Sequence, residues 1–314
     1  METSVLVVED DVEINELLGE YLSLEGIKYL QALSGKAGAE QAAAEHPDAM
    51  ILDLMLPDID GFQVAREVAS HRKTYDIPVI MLTCMNQDRD RENGIASGAH
   101  RYMNKPFLPD DLLANVRNAF EWKKNLATRP PTGNIEISLA DPCGYHRAIN
   151  EMIRDLFSHT KLSDRAVGQI HAGFTQLSEW ATDWGKKHQC DPQLMIEYRI
   201  TDSAGNLNSN GKAAAIQWLV SEKQPGLLDE MLFKHVNQIV SSATCGKEAV
   251  EASPVARWYH FMAKCGVAKF DKDTRKSRLF LERPLSESVS SVPVVVIDGV
   301  RVPTRLRQEA AKRL

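Results

Sequence analysis

The feature that most constrains this chain is a pattern repeated through its first 126 residues. Short apolar runs are each cut off by a polar residue, and amphipathic segments lie between them. The clearest case is ILDLMLPDIDG, Ile51 to Gly61. Met50, Ile51 and Leu52 form a continuous apolar run that stops on Asp53, and Pro57 to Gly61 supply a turn at once. A short apolar run closed by a turn signal reads as a buried strand of a parallel sheet. The other runs are Ser4 to Val8, Lys28 to Gln31, Pro78 to Thr83 and Arg101 to Met103. Helical spacing separates them, with Gly26, Pro47 and Gly98 as punctuation. The alternation βαβαβαβαβα predicts a doubly wound, five-stranded parallel α/β sheet with right-handed crossovers.

In such sheets the chemistry gathers at the carboxyl ends of the strands. Glu9 and Asp10 follow the first run, Asp53 closes the third, Thr83 the fourth, and Lys105 follows the fifth. Converging carboxylates repel. At about 4 Å and an effective dielectric near 20, each pair costs on the order of 4 kcal/mol. Mg²⁺ relieves that repulsion, because it prefers oxygen ligands and keeps several waters. It also neutralises an incoming phosphoryl group. Lys105 can pair with phosphoryl oxygens as a point charge, and the Thr83 hydroxyl can donate to them. Asp53 is then an ionised nucleophile, able to form an acyl phosphate. Asp11, just beyond the acid pair, reads as solvated rather than as a ligand.

The segments VVEDD (7–11), ILDLMLPDIDG (51–61), PVIMLT (78–83) and GAHRYMNKPF (98–107) resemble the receiver domain of two-component response regulators, which has a flavodoxin-like fold. The resemblance covers the whole first domain. It implies that Asp53 is the phosphorylated aspartate. It also implies that Glu9, Asp10, Asp53 and the backbone carbonyl of Met55 hold Mg²⁺. Thr83 and Lys105 become the phosphate-sensing hydroxyl and lysine, and Tyr102 the aromatic that swings inward when the hydroxyl moves. The implied donor is a histidine kinase or a phosphotransfer protein. The implied output face is 87–126, and a homodimer through it is one expectation. Leu112, Leu113, Val116, Phe120 and Leu126 are expected to serve mainly that helix's own core.

Charge separates the two halves. Residues 1–125 hold 22 acidic and 12 basic side chains, a net of -10, and the rest hold 21 and 25, a net of +4, together the chain's -6. An acidic first half suits nucleic acid poorly, and a mildly basic second half argues for it only weakly. The five cysteines form no CxxC pair, which disfavours a zinc ribbon or a disulfide framework. No apolar run approaches a membrane span, and the N-terminus has no signal-peptide pattern, so a cytoplasmic protein is expected.

The sequence divides into a receiver at 1–126, a linker at 127–134 rich in proline, an α+β output domain at 135–290, and a terminal hairpin and short helix at 291–314. Strands are expected at Ile135 to Leu139, Leu194 to Thr201 and Ser277 to Glu282. Helices are expected at Tyr145 to Thr160, from the cap Ser163 to His188, at Leu227 to Val240, and at Val255 to Lys264. Ala213 to Val220 reads equally as strand or helix. The basic run Lys269 to Arg283 reads as a solvated hairpin. Asp298-Gly299 between β-branched arms predicts another, packed on the domain or, alternatively, offering an exposed edge to a partner's sheet.

Leu162 to Asp202 distantly resembles the ATP-binding domain of anti-sigma-factor kinases, which are related to histidine-kinase ATPases. The pattern ExxxNAxxWG falls on Gln176 to Gly185. Gln176 stands at the acid position and Trp180 at the asparagine position. An indole cannot ligate Mg²⁺ and tends to fill a pocket. The DxGxGF loop that meets adenine has no counterpart, so the resemblance implies a scaffold that has lost its ATP site. His146, His159, His171, His188, His235 and His260 show no metal-ligand spacing. The expected output is therefore protein binding by a domain that is not itself an enzyme. The alternatives are an ATP-binding kinase and a DNA-binding transcriptional regulator, although no helix-turn-helix pattern is evident.

Overall fold

The computed structural model describes residues 3–84, 88–126, 128–141, 143–202, 205, 207, 213–222, 226–229, 267–272, 277–285, 294–297 and 300–301. The chain forms two compact units, Met1–Arg129 and Pro130–Leu314.

In the first unit the strands are β1 (Ser4–Val8), β2 (Lys28–Ala32), β3 (Ala49–Asp53), β4 (Val79–Thr83) and β5 (Arg101–Asn104). The helices are α1 (Val12–Leu24), α2 (Gly35–Glu45), α3 (Gly61–Ser70), α4 (Asp88–Ala96) and α5 (Pro109–Leu126). All strand pairs are parallel, in the order β2-β1-β3-β4-β5. The expected doubly wound sheet is thus observed. β3 and β4 are buried along their whole length, because helices cover both faces. On one face Leu6, Met50, Leu52, Val64, Val68 and Met81 pack together. On the other, Val5, Val7, Ile51 and Leu82 meet Leu18, Leu22, Leu112 and Val116. Leu112, Leu113, Val116 and Phe120 of α5 are spent on this core, as their spacing suggested, and Leu126 is buried as well.

The strand order reverses between β1 and β3, which opens a crevice beyond their carboxyl ends. The loop after β3 is built to hold that crevice open. Asp58 accepts from the Gly35 N–H (2.8 Å) and the Lys36 N–H (2.9 Å), pinning the loop to the start of α2. The Lys36 N–H bond is the main cause holding the Asp58 carboxyl down at about 2. Asp60 caps α3 by accepting from the Gln63 N–H at 2.7 Å. A Cβ on Gly61 would lie 2.3 Å from the Asp53 carbonyl oxygen, so only glycine lets the chain pass that close.

The second unit contains β6 (Thr132–Ile137), α6 (Gly144–His159), α7 (Asp164–His188), β7 (Leu194–Thr201), β8 (Ala215–Glu222), α8 (Leu227–Asp229), β9 (Val267–Lys272), β10 (Ser277–Pro284), β11 (Val294–Ile297) and β12 (Val300–Arg301). Its sheet runs β12-β11-β9-β10-β8-β7-β6, antiparallel except for the β9–β11 pair. Alternation sets the faces: Leu194, Ile196, Tyr198 and Ile200 are buried, while Glu197 and Arg199 are exposed. Trp218 of β8 is the largest fully buried side chain among the described residues. Its ring lies 5.6 Å from Phe174 of α7, and its Nε1–H reaches Met152 Sδ of α6 at 3.4 Å. Ser163 caps α7 by accepting from the Ala166 N–H.

Several boundaries differ from the sequence reading. β6 begins at Thr132, so 132–134 is strand rather than linker, and Leu139 lies beyond the strand. The 213–220 ambiguity resolves as strand β8, because β7 and β10 pair with it on both sides. The run 269–283 is a hairpin, with β9 and β10 antiparallel. In the terminal arms β11 and β12 pair antiparallel, and β11 lies in the sheet beside β9. The helices expected at 230–240, at 255–264 and after Pro303, together with His235 and His260, lie outside the described residues.

Candidate functional site

The crevice between β1 and β3 collects the polar strand ends. Glu9 and Asp53 are 3% and 5% exposed, whereas Asp10 faces solvent. One carboxylate oxygen from each of Glu9, Asp10 and Asp53 lies within 4.8 Å of the others. Lys105 follows β5 and reaches across the strand ends. Its Nζ donates to Glu9 Oε2 at 2.6 Å and lies 2.8 Å from Asp53 Oδ1. The other oxygen, Asp53 Oδ2, accepts from the Met55 N–H at 2.7 Å. Both oxygens of Asp53 are thereby oriented.

Backbone pairing sets these positions. Asp53 is registered with Leu82, and Thr83 with Asn104. The Lys105 N–H donates to the Thr83 carbonyl at 2.7 Å, which fixes where the lysine leaves the sheet. Thr83 is 1% exposed at the end of β4. The Tyr102 ring packs on Gly94 of α4, where a built Cβ would lie 3.1 Å from the ring. It also rests on the core around Met81.

The electrostatics follow from burial. Burial pushes the Glu9 carboxyl up from its ordinary value, the Lys105 hydrogen bond opposes this, and the Asp53 and Asp10 charges push it further up. Burial alone would lower Lys105, but its hydrogen bonds to Asp53 and Glu9 outweigh that and raise it. Three carboxylates and one ammonium leave a surplus of two negative charges when all are ionised. The donor set is all oxygen, partly buried and open on the Asp10 side. Those properties fit a small divalent cation such as Mg²⁺.

The structure brings Glu9, Asp10, Asp53, Met55, Thr83 and Lys105 to one edge of one sheet. Tyr102 lies one strand pair away, on the α4 side. Asp11 is neither ligand nor idle. It caps α1, accepting from the Glu13 and Ile14 N–H groups at 3.0 and 3.2 Å. Its place just before a helical run is the signal that marks such a cap. Sequence reasoning also missed the Met55 N–H as the group that holds Asp53.

The second unit offers no comparable cluster among its described residues. Gln176 is buried and donates to Glu179 Oε2 at 3.0 Å. Glu222 is 1% exposed and accepts from the Gly226 N–H at 3.2 Å and the Leu228 N–H at 2.7 Å. The Trp184 indole lies against the Gly226 turn, 3.9 Å from where a Cβ would stand. His146 is pushed down to about 4, first by burial and then by His171 nearby, and burial lowers His171 too. No third ligand joins that pair among the described residues.

Comparison with known proteins agrees with the first unit. The family profile of the response regulator receiver domain matches residues 5–117. The chain is 41% identical over 113 residues to the DNA-binding dual master transcriptional regulator RpaA of Synechocystis sp., covering 36% of this chain and 47% of that protein. It is 44% identical over 115 residues to the transcriptional regulatory protein GltR of Pseudomonas aeruginosa, covering 36% of this chain and 47% of that protein. It is 37% identical over 204 residues to the probable transcriptional regulator ycf27 of Cyanophora paradoxa, covering 63% of this chain and 82% of that protein. The chain thus spans about half the length of the first and second of these relatives. The matched segment holds the acid cluster and its lysine, and the chain belongs to the response regulators that carry a receiver domain.

Proposed function

We propose that this response regulator accepts a phosphoryl group on Asp53 from a histidine kinase or a phosphotransfer protein, and that this event controls a protein-binding second unit. The observation that carries the reading is Lys105 bridging Glu9 and Asp53 at 2.6 and 2.8 Å inside a three-acid cluster.

An Asp53 carboxylate oxygen bonds to the phosphorus of a phosphoimidazole donor. The P–N bond breaks, its electron pair stays on the imidazole nitrogen, and that nitrogen takes a proton from water. The Met55 N–H keeps Asp53 oriented while this happens. Lys105 releases Asp53 Oδ1 and turns to the phosphoryl oxygens, which carry more charge than the carboxylate it leaves. Thr83 stands at the neighbouring strand end to donate its hydroxyl to the same group. Glu9, Asp10, Asp53 and the Met55 carbonyl are the residues to hold Mg²⁺, which supplies positive charge against the phosphoryl oxygens when bound. Movement of Thr83 toward the phosphoryl group frees room on the α4 side, where Tyr102 already packs on Gly94.

For the output, Gln176, at the acid position of the resembled ATP-binding pattern, is tied to Glu179. Glu222 is tied to the backbone of Gly226 and Leu228, and Trp184 lies on the Gly226 turn. These ties support a protein-binding role over an ATP-dependent one. A second reading, DNA binding, is favoured by one observation: the likeness to ycf27, a probable transcriptional regulator, runs over 204 residues.

The test treats the full chain with acetyl phosphate and Mg²⁺, then follows phosphate uptake, nucleotide binding and DNA binding together. Uptake is expected in wild type and absent in Asp53→Asn, with no nucleotide bound. Phosphorylation-dependent, salt-sensitive DNA binding would move the output to the second reading. Uptake that persists in Asp53→Asn would remove the phosphoacceptor assignment.

A further inference from the structure

Asn15 lies in the first turn of α1 and is fully buried. Its amide nitrogen donates to the Glu9 carbonyl at 2.8 Å and to the Ala32 carbonyl at 3.0 Å. Two carbonyls can only accept, so the amide nitrogen must face them and the amide oxygen must point away. That oxygen accepts from the Tyr29 hydroxyl at 2.5 Å. The side chain therefore uses both donors and an acceptor, and all its partners belong to the β1–β2 end of the sheet.

The Tyr29 hydroxyl is itself held in place. A Cβ on Gly19 would lie 2.7 Å from Tyr29 Cε1, so the ring sits directly on the α1 backbone. The Glu9 N–H also donates to the Ala32 carbonyl, at 3.2 Å. Glu9 is thus fixed on both sides, by Ala32 at its N–H and by Asn15 at its carbonyl. The Glu9 carbonyl belongs to the peptide plane that joins Glu9 to Asp10. Fixing that plane sets the directions in which both carboxylates leave the chain.

We propose that Asn15, oriented by Tyr29, is a positioning residue that aims the Glu9–Asp10 pair at the cation site beside Asp53. The inference rests on the reading of Asp53 as a Mg²⁺-dependent phosphoacceptor. Asn15 touches neither cation nor phosphate. It acts through the backbone, as groups behind metal ligands commonly do, and loss of such a group typically costs about 10- to 100-fold in metal affinity. Nothing in the acid motif marks this residue, because its partners Glu9, Tyr29 and Ala32 meet it only through the fold.

The experiment measures Mg²⁺ binding to the full chain by isothermal titration calorimetry, and phosphorylation by acetyl phosphate across the same Mg²⁺ range. It separates the Mg²⁺ concentration for half-maximal rate from the saturated rate. Asn15→Leu keeps the branched shape, at somewhat larger volume, and removes the three hydrogen bonds. It should raise the half-maximal Mg²⁺ concentration by about tenfold and lower the saturated rate much less. Tyr29→Phe removes only the orienting bond and should raise it about threefold, the size of one neutral hydrogen bond. Val116→Ala, in the same core cluster, is the stability control and should leave the half-maximal concentration at the wild-type value. If Asn15→Leu shifts the titration no further than Val116→Ala does, the role is structural and the proposal is wrong. If Asn15→Leu does not fold, Tyr29→Phe decides, and an unshifted titration overturns the proposal. A wild type that takes up no phosphate defeats the phosphoacceptor reading and this inference with it. An active wild type with unshifted variants defeats this inference alone.

Discussion

Glu9 and Asp53 are buried, and Lys105 half-buried, at the open edge of the receiver sheet, beside a solvent-facing Asp10. Among the described residues of the second unit, several buried polar groups are tied to neighbours of the same unit. Asp155 accepts from the Tyr198 hydroxyl at 2.5 Å, Glu222 from two backbone N–H groups, and Gln176 donates to Glu179. The first arrangement keeps a surplus of negative charge next to solvent, and that surplus suits a small divalent cation. The second arrangement uses its polar groups to hold secondary structure together. Burial of polar groups alone does not make a site; unbalanced charge that solvent can reach does.

The contrast can be broken most forcefully by Trp218→Ala. This indole is fully buried between α6 and α7, and its removal should destabilise the second unit by about 3–5 kcal/mol. Hydrogen exchange of the full chain should show faster amides in β7, β8 and β10, with phosphate uptake at Asp53 retained. Lost uptake would mean that the receiver depends on the second unit's core.

A smaller effect should come from Lys105→Ala. It leaves Glu9 and Asp53 without their shared cation, and should cost the receiver about 2 kcal/mol, below the value for a fully buried pair because the lysine is partly exposed. Millimolar Mg²⁺ should restore much of that loss, read as slower exchange in β1 and β3. The same addition should leave the second unit's exchange unchanged. No restoration would argue that the three acids do not share a cation.

The smallest effect concerns pH. His146 has a folded value near 4, below the ordinary histidine value, so the folded form binds fewer protons than the unfolded form between those limits. The second unit should therefore lose stability as pH falls from about 6.5 toward 4, and His146→Gln should weaken that dependence. The ring keeps some access to water, so the slope should be shallow. A slope that is unchanged in the variant would assign it to other groups.

The receiver was legible in the sequence because each of its signals is local. A parallel strand, its terminal polar residue and the following turn are contiguous, as in Ile51 to Gly61, and the parallel topology then brings Glu9, Asp53, Thr83 and Lys105 to one edge. What the sequence hid depends on distant pairing. Asp58 pins α2 from 22 and 23 residues away, and Asn15 reaches Ala32 across 17. The second unit was less legible for the same reason. Ala213 to Val220 carries alanines that suit a helix, and only its neighbours β7 and β10 make it a strand. β11 lies beside β9, a pairing that no local pattern marks.

Asp53 is proposed as the oriented carboxylate that takes the phosphoryl group, with the help of a cation held by its acidic neighbours. Intact-mass analysis of the full chain after acetyl phosphate treatment, with and without Mg²⁺ and followed by mapping of the modified peptide, tests it most directly. One added phosphoryl group is expected, on Asp53, only when Mg²⁺ is present. An unchanged mass, uptake without Mg²⁺, or phosphate mapped to another residue would contradict it.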